Sequence, residues 1–358
     1  MTETSDAQTT MVGTVPVPAD DPINVKALER WMRERMPGFE GPIALEKFKG
    51  GQSNPTYRVD TPGRNYVLRR QPFGTLLPSA HAVDREYRLI AALHPTGFPV
   101  PKPYFGLCSD DSVIGSMFYI MELVEGRNLW DGALPDLSPP ERTAHYHAMV
   151  DTLAALHNTD YVAAGLGDYG KPGNYFERQV ARWTKQYKAA ETEFMEPVER
   201  LIEWLPRTVP EQTRTSIVHG DFRIDNMIFA PTGPKVIAVL DWELSTLGDP
   251  LADFSYFLMS WVTQPEGRSG VMGLTGAETG IPTIDEVTAR YCAATGRDGV
   301  PDLNWYFAYN LFRLTGIVQG IKKRIQIGTA SSAQAEKAVA RVGGLADAAW
   351  GFAVKAGA

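Results

Sequence analysis

The chain has 358 residues, 44% of them hydrophobic, 22% charged and 10% aromatic, with a formal net charge of −7. That length suits about two domains, and that composition supplies a packed core and excludes a disordered or fibrous chain. The acidic balance discourages non-specific nucleic-acid binding, but it says little about small substrates, because a local pocket can oppose the global charge.

Residues 1–20 read as a flexible polar tail, without the basic and apolar regions of a signal peptide. NVKALERWMRERM, after Asp21-Pro22, suits a helix with Leu28, Trp31, Met32 and Met36 along one side. IALEKF, TYRVD and YVLRR follow as short strands separated by the turn-forming GGQSNP and TPGR, an antiparallel meander. HAVDREYRLIAALH is an amphipathic helix stopped near Pro95, and KPYFGLC and SMFYIMELV are two more strands around a DDSVIG turn. From ERTAHYHAMVDTLAALH onward helical periodicity dominates, interrupted by three short apolar runs around residues 217–240. Strands followed by helices predict an α+β chain in two lobes, residues 21–124 and 125–358, dividing near the Glu125-Gly126 step. LNWYFAYNLFRLTGIVQGI is broken by Asn310, Arg313 and Gln319, which favours a buried helix over a membrane span. Cys108 and Cys292 belong to no CxxC or disulfide framework; they read as core thiols, and a reducing cytosol is the simplest compartment.

The chemistry concentrates in HGDFRIDN, residues 219–226. TSIV precedes it, and MIFA, a PTG turn and KVIAVL follow, so the pattern reads strand, loop, strand, turn, strand. The hairpin brings Asp241, at the end of KVIAVL, beside Asn226. Together they offer hard oxygen ligands of the kind Mg²⁺ takes when waters and substrate phosphates complete its octahedron. Asp221, at the other end of the loop, is placed to orient an attacking hydroxyl and accept its proton, the layout of phosphoryl transfer.

HGDFRIDN followed by VLDWE resembles the phosphotransferase motif of the aminoglycoside phosphotransferase (APH) family, whose fold is protein-kinase-like with a small antiparallel-sheet N-lobe and a large helical C-lobe. The resemblance implies ATP and Mg²⁺ as cofactors, Asp221 as catalytic base and Asn226 and Asp241 as metal ligands. It makes His219 a brace of the loop and Asp253, in the helix begun by Asp249-Pro250, its buttress. Asp225 stays open between substrate contact, a brace on Arg223 and solvent.

A kinase-like first lobe requires four further features. GGQSNPT supplies a flexible turn over the phosphates, with Gly50 and Gly51 for close approach and Ser53 and Asn54 as donors. YVLRR puts Val67 and Arg69 on one face, so that Arg69 stands where the family pattern has lysine; choline-kinase-like members resemble this usage. Glu86 is the helix acid that would hold Arg69. FYIMELVEG resembles the hinge, with the Glu122 carbonyl and the Val124 N–H facing adenine.

GGQSNPTY, YVLRRQPFG, DREYRLIAALH, VHGDFRIDNMIF, VIAVLDWELSTLGDPLADFSYF and FRLTGIVQGIKKRIQIGTASS together resemble one subgroup, from about residue 25 to residue 350. It comprises the phosphotransferase domain fused to acyl-CoA dehydrogenases in some animal proteins, and its stand-alone bacterial relatives. The resemblance implies a small-molecule hydroxyl acceptor, preferentially a hydroxyacyl-CoA, and an acyl-CoA dehydrogenase in the same pathway. For a CoA thioester the candidate cations are Lys322, Lys323, Arg324, Arg178, Arg182 and Lys185, each of which also suits a solvated basic face. A polycationic aminoglycoside would want clustered acids, which the C-terminal helices lack. A choline-like acceptor and a catalytically idle nucleotide-binding regulatory module are the alternatives.

Overall fold

The computed structural model describes residues 13–36, 38–49, 54–73, 81–265, 269–327 and 339–358. Strand β1, Thr14–Pro16, leads into helix α1, Val25–Arg35, and then β2, Ala44–Phe48, β3, Thr56–Asp60, and β4, Tyr66–Arg70. Helix α2, Val83–Leu93, precedes β5, Pro103–Cys108, a one-turn helix α3, Asp111–Ile114, and β6, Phe118–Glu122. The six strands form one antiparallel sheet in the order β1-β2-β3-β4-β6-β5.

β1 corrects the expectation of a tail running through residue 20, since Thr14, Val15 and Pro16 pair with Phe48, Lys47 and Glu46. Pro16 is tolerated because an edge strand has no partner for an N–H on its outer side. DDSVIG is a helical turn, capped by Asp110, whose carboxylate accepts the Ser112 N–H at 2.9 Å. Leu28, Trp31 and Met32 of α1 are buried as its periodicity predicts.

β4 is central and buried along its whole length. Alternation sends Val67 into the core shared with the helices and Leu68 into the core beneath α1. Each face also buries an arginine. Arg70 is held on the α1 side by Asp21 and Tyr57, and Arg69 lies on the other face.

The chain crosses out of this sheet at residues 123–126. Only glycine fits at position 126, where a Cβ would lie 2.3 Å from the Phe229 carbonyl oxygen. Beyond it come β7, Arg127–Asn128, and helices α4, Pro139–Asn158, α5, Tyr175–Ala190, and α6, Glu196–Trp204. Four short strands follow: β8, Ser216–Val218, β9, Met227–Phe229, β10, Val236–Val239, and β11, Thr246–Gly248. Helices α7, Leu251–Phe257, α8, Ile284–Thr295, α9, Leu303–Gln326, and α10, Val342–Lys355, come last among the described residues. Capping boxes start α4, through Ser138 and Glu141, and α8, through Thr283 and Glu286.

The polar residues that interrupt α9 each have a hydrogen-bond partner. Asn310 donates to Ser255 Oγ at 3.1 Å, Arg313 to the Gly220 carbonyl at 2.8 Å and Gln319 to the Ala190 carbonyl at 3.0 Å. Among the described residues no helix is long and apolar enough to cross a membrane. Cys108 and Cys292 are buried free thiols.

Candidate active site

β9 and β10 are antiparallel with Met227 opposite Val239, and the Leu240 N–H donates to the Asn226 carbonyl at 2.8 Å. This ladder sets Asn226 beside Asp241. The chain turns sharply there: Asp241 adopts the left-handed conformation, φ 64°, and opens a 3₁₀ turn at Trp242–Leu244. Aspartate tolerates that backbone better than most side chains, so the strain is modest.

The loop before β9 is held from three directions. Asp253 on α7 is fully buried and accepts the backbone N–H groups of His219 at 2.5 Å and Gly220 at 2.7 Å. Burial alone would raise its carboxyl pKa; contact with His157, the nearby His219 and the Gly220 N–H hold it below the usual value. His219 is also fully buried. Its Nε2–H donates to the Leu240 carbonyl at 2.8 Å while Nδ1 accepts the Asp221 N–H at 3.1 Å, which fixes the tautomer. Gly220 has φ 88°, and a Cβ there would lie 2.9 Å from Leu244, so the turn into Asp221 depends on glycine.

Asp221 emerges with its side chain 22% exposed. Asn226 Nδ2 donates to its carbonyl at 2.9 Å and to its Oδ2 at 3.1 Å, leaving Asn226 Oδ1 as a spare acceptor. Arg223 Nε lies 3.2 Å from Asp221 Oδ1, and its Nη2 lies 3.0 Å from Asp225 Oδ2. Asp225 therefore braces Arg223. Tyr256 lies close to the Asp221 carboxylate; burial and that negative charge raise the phenol's pKa.

Opposite this loop, β4 and α2 supply the other wall. Arg69 Nε donates to Glu86 at 2.8 Å, Nη1 to Thr56 Oγ1 at 3.2 Å and Nη2 to Asp241 Oδ1 at 2.8 Å. Burial would favour the neutral guanidine, but Glu86, Tyr119 and Asp241 outweigh it and keep Arg69 cationic. Glu86 is 2% exposed, so it is no surface acid. Between the walls lies a cleft of about 380 Å³ lined by Val67, Arg69, Glu86, residues 122–124, Asn226 and Asp241. The Glu122 N–H donates to the Lys102 carbonyl at 2.8 Å, which ties this edge to the sheet. A larger groove of about 790 Å³ between α2 and the end of α4 has one ionisable lining residue, Asp160, and lies away from the acids.

Asn54 departs from expectation. It is 1% exposed, its Oδ1 lies 3.2 Å from His81 Nδ1, and it does not line the cleft. Packing at the start of β3 turns its side chain inward. Gly50, Gly51 and Ser53 lie outside the described residues. Several predicted cations are engaged by the protein: Lys322 with Glu193, Lys323 with the Ala189 carbonyl at 2.9 Å, and Arg178 with the Lys171 carbonyl at 2.7 Å. Arg324 also has a partner, whereas Arg182 and Lys185 are exposed.

Arg313 and Tyr256 are the residues that sequence reasoning missed. Arg313 is 9% exposed, and its guanidinium lies 5.1 Å from the Tyr256 ring and 5.6 Å from that of Trp183 while it holds the Gly220 carbonyl. The signal was an arginine set among the aromatic and apolar residues in the first half of α9.

The profile of a family described as phosphotransferase enzyme family (APH) matches residues 44–290. Acyl-CoA dehydrogenase family member 10 of Mus musculus is 45% identical over 335 residues, 92% of this chain and 31% of that protein, so the chain spans about a third of its length. A crystal structure from Ralstonia eutropha JMP134, assigned provisionally as an aminoglycoside phosphotransferase, is 51% identical with a TM-score of 0.86, covering 93% of this chain and 99% of that one. Spectinomycin phosphotransferase in complex with ADP and spectinomycin has a TM-score of 0.60 at 12% identity, covering 92% and 99% of the two chains, a likeness of fold. The architecture is the two-lobed kinase-like one that the motif implies.

Proposed function

Since the chain belongs to the phosphotransferase enzyme family, we propose that it moves the γ-phosphoryl group of ATP to an acceptor hydroxyl. Strand β1 and residues 21–124 form the nucleotide lobe, and residues 125–358 carry the catalytic loop and acceptor site. The observation that carries this reading is that Asn226 and Asp241 line one cleft whose opposite wall holds Arg69 and Glu86, with Asp221 hydrogen-bonded to Asn226 beside it. Adenine would meet the backbone at Glu122 and Val124. Asn226 Oδ1 and the Asp241 carboxylate suit Mg²⁺: both are hard oxygens, and two protein ligands leave room for phosphates and water. Among the described residues no cluster of three or more His, Cys, Asp or Glu offers a closed metal cage instead. The ion, when bound there, neutralises charge on the phosphates.

Asp221 performs the acid–base part. Arg223 and Asn226 fix its carboxylate, which accepts the proton of the acceptor hydroxyl as that oxygen attacks the γ-phosphorus in line and ADP leaves. Arg69 stabilises the phosphates from the opposite wall.

The preferred acceptor is a hydroxyacyl-CoA. Around Asp221 the structure gathers Arg223 and Arg313, with Arg182 beside Trp183 at the surface. An anionic thioester fits these cations, whereas a polycationic antibiotic or a quaternary ammonium alcohol would be repelled. The relative named acyl-CoA dehydrogenase family member 10 supports the same reading and an acyl-CoA dehydrogenase as a pathway partner.

The test is ADP release with Mg-ATP against hydroxyacyl-CoAs of several chain lengths, aminoglycosides and choline, with Asp221→Ala as blank. Turnover of a hydroxyacyl-CoA above that blank is expected. Activity on aminoglycosides or choline alone would overturn the acceptor assignment and keep the mechanism. Tight ATP binding with no turnover of any acceptor would favour an idle regulatory module.

A further inference from the structure

One guanidinium serves both walls of the cleft. Arg69 holds Glu86 through Nε and Asp241 through Nη2, each at 2.8 Å. The two acids are held differently. The Glu86 side chain is 2% exposed and locked under α2, whereas that of Asp241 is 37% exposed at the end of the β10 hairpin. A planar fork of five donors permits this double engagement, while a lysine ammonium, a compact point charge, cannot present parallel donors to two separated acids. A divalent cation at Asp241 must share the carboxylate with Nη2, which already holds Oδ1, and two cations beside one carboxylate repel each other.

We propose that Arg69 is a positioning residue that competes with the metal for Asp241, and that nucleotide phosphates relieve the competition. Nη2 passes from Asp241 to a phosphate oxygen while Nε stays on Glu86. The exchange replaces one charge-assisted hydrogen bond with another. Metal binding is therefore weak alone and tight with nucleotide, and the coupling is reciprocal. This rests on the reading of Asp241 as a metal ligand.

Mn²⁺ titration followed by electron paramagnetic resonance, with and without ADP, tests it on the full chain as wild type, Arg69→Lys, Arg69→Met and Asp241→Asn. Arg69→Lys keeps a cation for Glu86 and withdraws it from Asp241. Without nucleotide, both Arg69 variants should bind Mn²⁺ about tenfold more tightly than wild type, and ADP should improve their affinity less than it improves that of wild type. If Asp241→Asn loses the site but Arg69→Lys binds Mn²⁺ no better than wild type, the competition is refuted and the metal assignment stands. If Asp241→Asn binds Mn²⁺ as wild type does, Asp241 is no metal ligand and both readings fall. Should Arg69→Met not fold, Arg69→Lys decides alone.

Discussion

Replacing Asp253 with alanine removes the acceptor for two backbone N–H groups at the head of the catalytic loop. The His219 and Gly220 donors lie 2.5 and 2.7 Å from its oxygens, and Asp253 is 0% exposed, so water cannot replace it without opening the core. Each buried donor left unpaired costs about 1–3 kcal/mol. His157 Nε2, at 3.5 Å, loses a polar neighbour as well. Relief of the carboxylate's own desolvation offsets part of the loss, so the net is about 3–5 kcal/mol, the range for breaking one side of a buried polar pair. Urea unfolding should show it as a lower midpoint at unchanged m-value. Asp253→Asn keeps one acceptor oxygen but points an amide donor at the other N–H, and should lose about half as much. A loss below about 1 kcal/mol in the alanine variant would refute the buttress, because it would mean that those N–H groups find other partners.

Other consequences follow from the same geometry. Asp249 is 2% exposed, and burial pushes its carboxyl up to about 6 although it accepts the Leu251 N–H. A raised folded pKa means that the native state binds the proton more strongly, so the contribution of Asp249 is intact below about pH 4 and is lost as pH rises through about 6. Asp249→Asn, which retains the cap, should thus unfold at a higher temperature than wild type at pH 8 by an amount equivalent to roughly 2–3 kcal/mol, with no gain at pH 4. An equal gain at both pH values would assign it to something other than this carboxyl. Gly220→Ala should cost about 2–4 kcal/mol, from a left-handed backbone and a Cβ 2.9 Å from Leu244, and should depress turnover through Asp221. Wild-type melting and turnover would show that the loop relaxes instead. Tyr256→Phe should leave ATP affinity unchanged in calorimetry and lower turnover about tenfold, through loss of the polar hydroxyl close to Asp221; weakened ATP binding would place Tyr256 in the nucleotide site.

Local spacing carried much of the candidate site. Asp221 and Asn226 are five positions apart in one loop, and Asn226 and Asp241 meet through a short hairpin whose apolar runs and turn are explicit. Alternation along β4 likewise determined that Val67 and Arg69 share a face, and the Asp249-Pro250 step marked the start of α7. Such features depend on backbone periods of a few residues, so the sequence states them directly. What only the tertiary structure decided is which charge answers which. Arg69 finds Asp241 at a separation of 172 residues, Arg313 finds the Gly220 carbonyl at 93, and Thr14–Pro16 becomes an edge strand because β2 offers it a free row of backbone groups. Asn54 carries the right atoms for phosphate, yet packing turns it toward His81. No period encodes these pairings, because a buried polar group takes its partner from whatever the packed elements bring within about 3 Å of it.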